Sequence, residues 1–176
     1  VDRKVDKYES KRLITRAMMA DVVFQLDTGP NMQDAIGPMK VSCLEKAGAM
    51  VSAGLDCRFA CIPFGGGKAS PIPAVPLVDL RKFNECLAEA AGPEKSAASS
   101  TEALQQALGL AFREGVQVLF ILIDGTSSGR PEQLAEIGKQ VRERGIKVVV
   151  QADPGEKDRY APLCQGGGSF HSLAGD

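Results

Sequence analysis

Histidine is almost missing from this 176-residue chain: His171 is the only one. With no second histidine and no nucleophile framed around this one, a Ser-His-Asp hydrolase is a poor fit. The histidine reads as structural, and no catalytic role is assigned to it. Excess charge of either sign is also missing. The net charge is −1, which removes any global pull towards nucleic acid or an anionic membrane surface. No apolar run approaches the roughly 20 residues that a membrane-spanning helix needs, so membrane insertion is not expected. Internal repeats and low-complexity tracts are absent. No secretory signal is visible, and the chain begins at Val1 rather than Met, as a fragment or processed part of a larger polypeptide or assembly would.

Paired cysteine spacing is lacking too. Cys43, Cys57, Cys61, Cys86 and Cys164 are odd in number, scattered, and without a C-x-x-C arrangement. They read as free thiols of a reducing compartment, which points to the cytoplasm. The phosphate loop fails in detail. Gly65 to Gly67 precede Lys68, but Ala69 follows where serine or threonine is required, and Ile62 stands in place of the first glycine. An extended proline-rich segment then takes the place of the helix. A phosphatase with D-x-D after its first strand would need an acid at Gly29.

What is present is one domain's worth of chain, with 44% apolar residues, enough for a core of ordinary size. Two stretches organise it. Val22 to Leu26 forms a short apolar run that ends at Asp27, followed by the breakers Gly29 and Pro30. Val116 to Ile123 is the most apolar run, and it ends at Asp124, Gly125 and a polar turn. Both read as strands buried on two faces.

Between and after them, helical spacing covers 33–53, 79–91, 101–114 and 131–144, with a short helical piece at 158–164. Ser99 is the expected N-cap of the third helix, with Glu102 in capping-box position. Strands are expected at 56–64, 70–77, 146–150 and 170–173. Three prolines in 70–77 place that strand at an edge, paired antiparallel to its predecessor across the glycine turn. Residues 1–20 read as a lead-in helix or linker and 21–176 as the domain. The fold class is α/β: a doubly wound, mostly parallel six-stranded sheet with one antiparallel edge strand and helices on both faces.

Two aspartates at the ends of central strands admit two readings. They cap the turns that follow, or they hold a hard cation such as Mg²⁺, with oxygens from a third loop at Ser99, Ser100 or Thr101.

The order of elements, with the motifs LDTGPNM at Leu26 to Met32, STEALQQAL at Ser100 to Leu108 and ILIDG at Ile121 to Gly125, resembles the von Willebrand factor A (VWA) domain. The resemblance runs from about Asp21 to Asp176. That family's first strand ends in D-x-S-x-S, a metal-ion-dependent adhesion site (MIDAS). Here Asp27 matches the first aspartate and Asp124 the later one, while the two serines fall on Gly29 and Asn31, and Thr101 best matches the third-loop threonine. The resemblance implies a Rossmann-like fold and a degenerate Mg²⁺ site at Asp27, Asn31, Thr101 and Asp124. It also implies a non-enzymatic module that binds another protein through the loops at the carboxyl ends of the strands, with Thr28, Gly29, Pro30, Ser99, Ser100, Ser127 and Arg130 as contact residues. The alternative is a divalent-metal-dependent hydrolase or nucleotide-binding enzyme built on Asp27 and Asp124.

Overall fold

The computed structural model describes residues 15–66, 70–89 and 96–173. The expected lead-in segment lies outside them up to residue 14, as do Gly67 to Ala69 of the glycine turn. Within the described residues the sheet has six strands in the order β3-β2-β1-β4-β5-β6. These are β1 (Met19–Asp27), β2 (Asp56–Phe64), β3 (Val75–Val78), β4 (Gln117–Asp124), β5 (Lys147–Ala152) and β6 (Ser169–Ser172). All neighbours run parallel except β2 and β3, which are antiparallel. β1 therefore lies in the middle, between β2 on one side and β4 on the other. The chain winds outward from β1 in one direction and then returns to wind outward in the other. The crevice between β1 and β4 is the switch point at which such sheets place their sites.

Helices cover both faces. On one face lie α1 (Ile36–Ser52) and α2 (Leu80–Ala88); on the other lie α3 (Ser100–Leu108), α4 (Pro131–Glu143) and α5 (Lys157–Cys164). Because side chains alternate along a strand, β1 serves both layers. Val22, Phe24 and Leu26 pack with Met39, Cys43, Phe83 and Leu87. Val23 packs with Leu104, Phe120, Leu134 and Val148. Cover on both sides is why this strand carries apolar residues at consecutive positions.

Three local expectations shift. The first helix begins with a 3-10 stretch, Pro30–Ala35, and becomes α-helical only at Ile36. The Met32 amide closes a tight turn onto the Gly29 carbonyl at 2.9 Å, and the proline fixes its own φ inside that turn. The glycine turn is not a tight hairpin, since β3 starts only at Val75 and the connection spans 65–74. The third helix stops at Leu108 rather than running to 114. Gly109 ends it, and the following segment is drawn down to the sheet by Arg113, whose backbone amide and guanidinium both bind Asp21.

Candidate functional site

Parallel pairing of β1 with β4 brings the two terminal aspartates to neighbouring strand ends. Both are fully buried. Burial of carboxylates requires donors, and the loops supply them. Asp27 accepts the Gly29 amide at 2.8 Å on Oδ1 and the Gly125 amide at 3.1 Å on Oδ2. Asp124 accepts the Thr126 amide at 3.1 Å, the Ser128 amide at 3.2 Å and both of their hydroxyls. Its Oδ2 also takes a hydrogen bond from the buried phenol of Tyr160 on α5.

Among the described residues these surroundings are polar but carry no cation at hydrogen-bond distance. For Asp27, burial raises the carboxyl pKa most strongly, and the neighbouring Asp124 charge adds to it. The Gly29 amide, the Thr126 hydroxyl and the Gly125 amide pull the other way without offsetting it, so the net shift is upward. For Tyr160, burial comes first and the charge of Asp124 and its hydrogen bond second, and both push the phenol well above its ordinary value.

Two glycines form the tight wall of this pit. A Cβ at Gly65, whose φ is +76°, would lie 2.9 Å from Asp27 Oδ1, and one at Gly29 would lie 3.0 Å from the same atom. A serine at Gly29 would thus crowd the carboxylate that a MIDAS serine is meant to assist.

The expected metal set assembles only in part. Asp27, Thr101 and Asp124 gather at the β1–β4 crevice, but the Thr101 hydroxyl is buried and accepts the Arg130 amide at 3.2 Å. Asn31 is exposed on the 3-10 stretch. Every oxygen of both carboxylates already accepts a protein donor. Among the described residues no group of three or more His, Cys, Asp or Glu side chains could hold an ion. Mg²⁺ requires about six oxygens and retains several waters, and these fully buried carboxylates, each oxygen already bonded by the protein, do not fit it.

The expected contact set also divides. Pro30 and Arg130 are exposed, and Ser99 and Ser127 are half-buried. Thr28, Gly29 and Ser100 are buried and belong to the interior. The Thr28 hydroxyl donates to the Phe64 carbonyl at 3.0 Å and accepts from Ser70 at 3.3 Å. Ser100 Oγ lies 3.2 Å from the Ser128 hydroxyl, and the Ser100 amide donates to that hydroxyl at 2.9 Å. In this structure these three hold the loops in place.

Ser99 caps α3 as expected, accepting the Glu102 amide, while the Glu102 carboxylate reaches back to the Ala98 amide at 2.7 Å. Beside this cap lies a polar groove of about 730 Å³ lined by Ser99, Thr101, Gln105, Ser128, Arg130 and Gln133. The Arg130 guanidinium makes no ion pair among the described residues.

Several site residues are invisible to motif reading. Tyr160 and Arg159 come from a short helix with no diagnostic pattern. Arg159 donates to the Ser127 and Gly129 carbonyls at 2.8 and 3.2 Å, bracing a turn in which Ser127 holds a left-handed φ of 53°. Only the polar turn after Asp124 gave a hint of Thr126 and Ser128.

No family model and no curated protein matches the sequence. Solved structures do match. BatB of Bacteroides thetaiotaomicron, described as a conserved hypothetical protein, aligns over 89% of this chain and 91% of its own, with 18% identity and a TM-score of 0.61. An aerotolerance-related membrane protein of Bacteroides fragilis, solved with multiple mutations to serines, aligns over 88% and 91%, with 17% identity and a TM-score of 0.59. Proximal thread matrix protein 1 of the mussel byssus, in a structure whose MIDAS motif is occupied by zinc, aligns over 89% of this chain with 16% identity and a TM-score of 0.60. This chain spans 42% of that protein. At these identities the likeness is one of architecture, and together with the strand order it shows that the chain has the von Willebrand factor A fold.

Proposed function

We propose that the chain is a non-enzymatic protein-interaction module that binds its partner at the carboxyl ends of the strands without a metal ion. The observation that carries this reading is the contrast between the two parts of that surface. The buried carboxylates are satisfied by the protein's own donors, whereas the adjoining groove is open, polar and carries the exposed Arg130. A planar guanidinium beside serine, threonine and glutamine side chains suits a carboxylate of the partner, which it can grip with two hydrogen bonds. Pro30, Ser99, Ser127 and Arg130 then form the contact surface. The five cysteines, all free thiols, support a reducing, cytoplasmic location. No helix among the described residues is long and apolar enough to cross a membrane.

The hydrolase alternative is weaker because it needs Asp27 and Asp124 in contact with substrate, and both are shut in. Turnover of generic phosphate esters, abolished by Asp27→Ala, would reverse that judgement.

The test is site-specific photo-crosslinking. A crosslinker at Gln133, in the groove, is expected to capture a partner that one at the exposed Val41 of α1 does not. Capture should persist in EDTA and disappear in Arg130→Glu. Capture from Val41 alone, or only with divalent metal, overturns the reading.

A further inference from the structure

Gln25 is fully buried on β1, and neither its carbonyl oxygen nor its amide nitrogen has a hydrogen-bond partner among the described residues. Nearly all buried polar groups in folded proteins are paired, with protein or with ordered water, because an unpaired one loses its hydration without return. An amide orphaned at both ends, on the central strand of the sheet, therefore calls for a ligand.

Its position narrows the choice. Alternation along β1 puts Gln25 on the same face as Val23 and Asp27, the face covered by α3. Its register neighbours are Ile62 on β2 and Leu122 on β4, and the row below holds Val23, Ala60 and Phe120, all in the apolar core. Buried polar side chains lie in the other direction, at Asp27 and at the start of α3, where Ser100 and Thr101 are buried.

We propose that Gln25 is the anchor of a buried water site between β1 and α3, which ties the apolar centre of the sheet to the Asp27–Asp124 pit. The chemistry favours water over an ion. The amide presents a donor and an acceptor, and both need partners. A cation serves the oxygen but is repelled by the NH₂ group, and an anion is repelled by the two carboxylates above. Water donates and accepts, and needs two to four polar partners of the kind this end of the layer offers.

The test uses the whole chain. A high-resolution crystal structure, grown with and without thallium(I), is read together with water-exchange cross-peaks to the Gln25 side-chain NH₂ in solution. Expected are a density peak within hydrogen-bond distance of the Gln25 amide, no thallium signal there, and a water cross-peak absent from Gln25→Leu. Failure of that variant to fold leaves the wild-type density and cross-peak decisive. A thallium signal makes the site a cation site and overturns the proposal. So does an empty site, or a Gln25 amide bonded by residues of 67–69 or 90–95.

Discussion

Asp21 and Asp27 lie near opposite ends of β1, and both are fully buried, yet their partners differ in kind. Asp21 meets two guanidinium groups. Arg58 of β2 reaches it at 2.7 Å and Arg113 at 2.9 Å, with the Arg113 backbone amide at 2.8 Å. Asp27 meets backbone amides, a hydroxyl and a second carboxylate. Burial alone raises the pKa of Asp21 more than any other single influence. The hydrogen bond from Arg58, the amide of Arg113 and the two positive charges together outweigh it and hold the group below its ordinary 3.8. At Asp27 no cation among the described residues offsets burial and the shift is upward. One end of the strand is a closed ionic clasp that ties β1, β2 and the α3–β4 connection together. The other is a pit of two carboxylates held, among the described residues, by amide and hydroxyl dipoles.

The largest expected effect tests the clasp. Asp21→Ala leaves two arginines facing each other near the amino-terminal end of the central strand and should cost about 2–4 kcal/mol in urea unfolding. That is below the full cost of breaking a buried pair, because the arginines keep 29% and 21% exposure and can rehydrate. A cost no larger than that of a surface substitution would break the comparison at this end.

Asp27→Asn should cost less, about 1 kcal/mol near neutral pH, since it removes a poorly placed charge together with one acceptor. The sharper comparison is with pH. Asp21, with its folded pKa lowered, contributes stability above 3.8 that is lost as pH falls through the folded value. The deficit of an Asp21 variant should therefore shrink on acidification. Asp27, with its folded pKa raised, binds its proton more tightly in the folded chain, so the native protein loses stability as pH rises from 3.8 through the folded value. The deficit of Asp27→Asn should shrink as pH rises. The differences in unfolding midpoint between wild type and each variant, measured across the acid range, should move in opposite directions, and a common direction would refute the contrast.

The smallest expected effect concerns the ion. Millimolar Mg²⁺ or Mn²⁺ should move the Tm by at most about 1 °C, and titration calorimetry should show no saturable heat. Saturable binding lost in both Asp27→Ala and Asp124→Ala would mean that the pit opens to admit an ion.

The sequence made the ladder of elements legible because β1 and β4 are apolar at consecutive positions and end in Asp27 and Asp124. Ser99 was legible as a cap through Glu102. The ion pairs and the pit were not. Nothing near Asp21 in the chain marks Arg113 as its partner, and nothing near Asp124 marks Tyr160. Thr28 and Ser100 looked like loop contacts because polarity in a turn is the same signal whether the hydroxyl faces solvent or a carbonyl behind it.

The sequence by itself determined that the chain builds a covered, mostly parallel sheet with two acids at the ends of central strands, because side-chain periodicity and turn residues act locally. Only the tertiary structure decided what surrounds those acids. Whether a buried carboxylate meets a guanidinium, an amide or a phenol depends on which distant segments the winding brings over it, and that sets its charge, its accessibility and its room for a ligand.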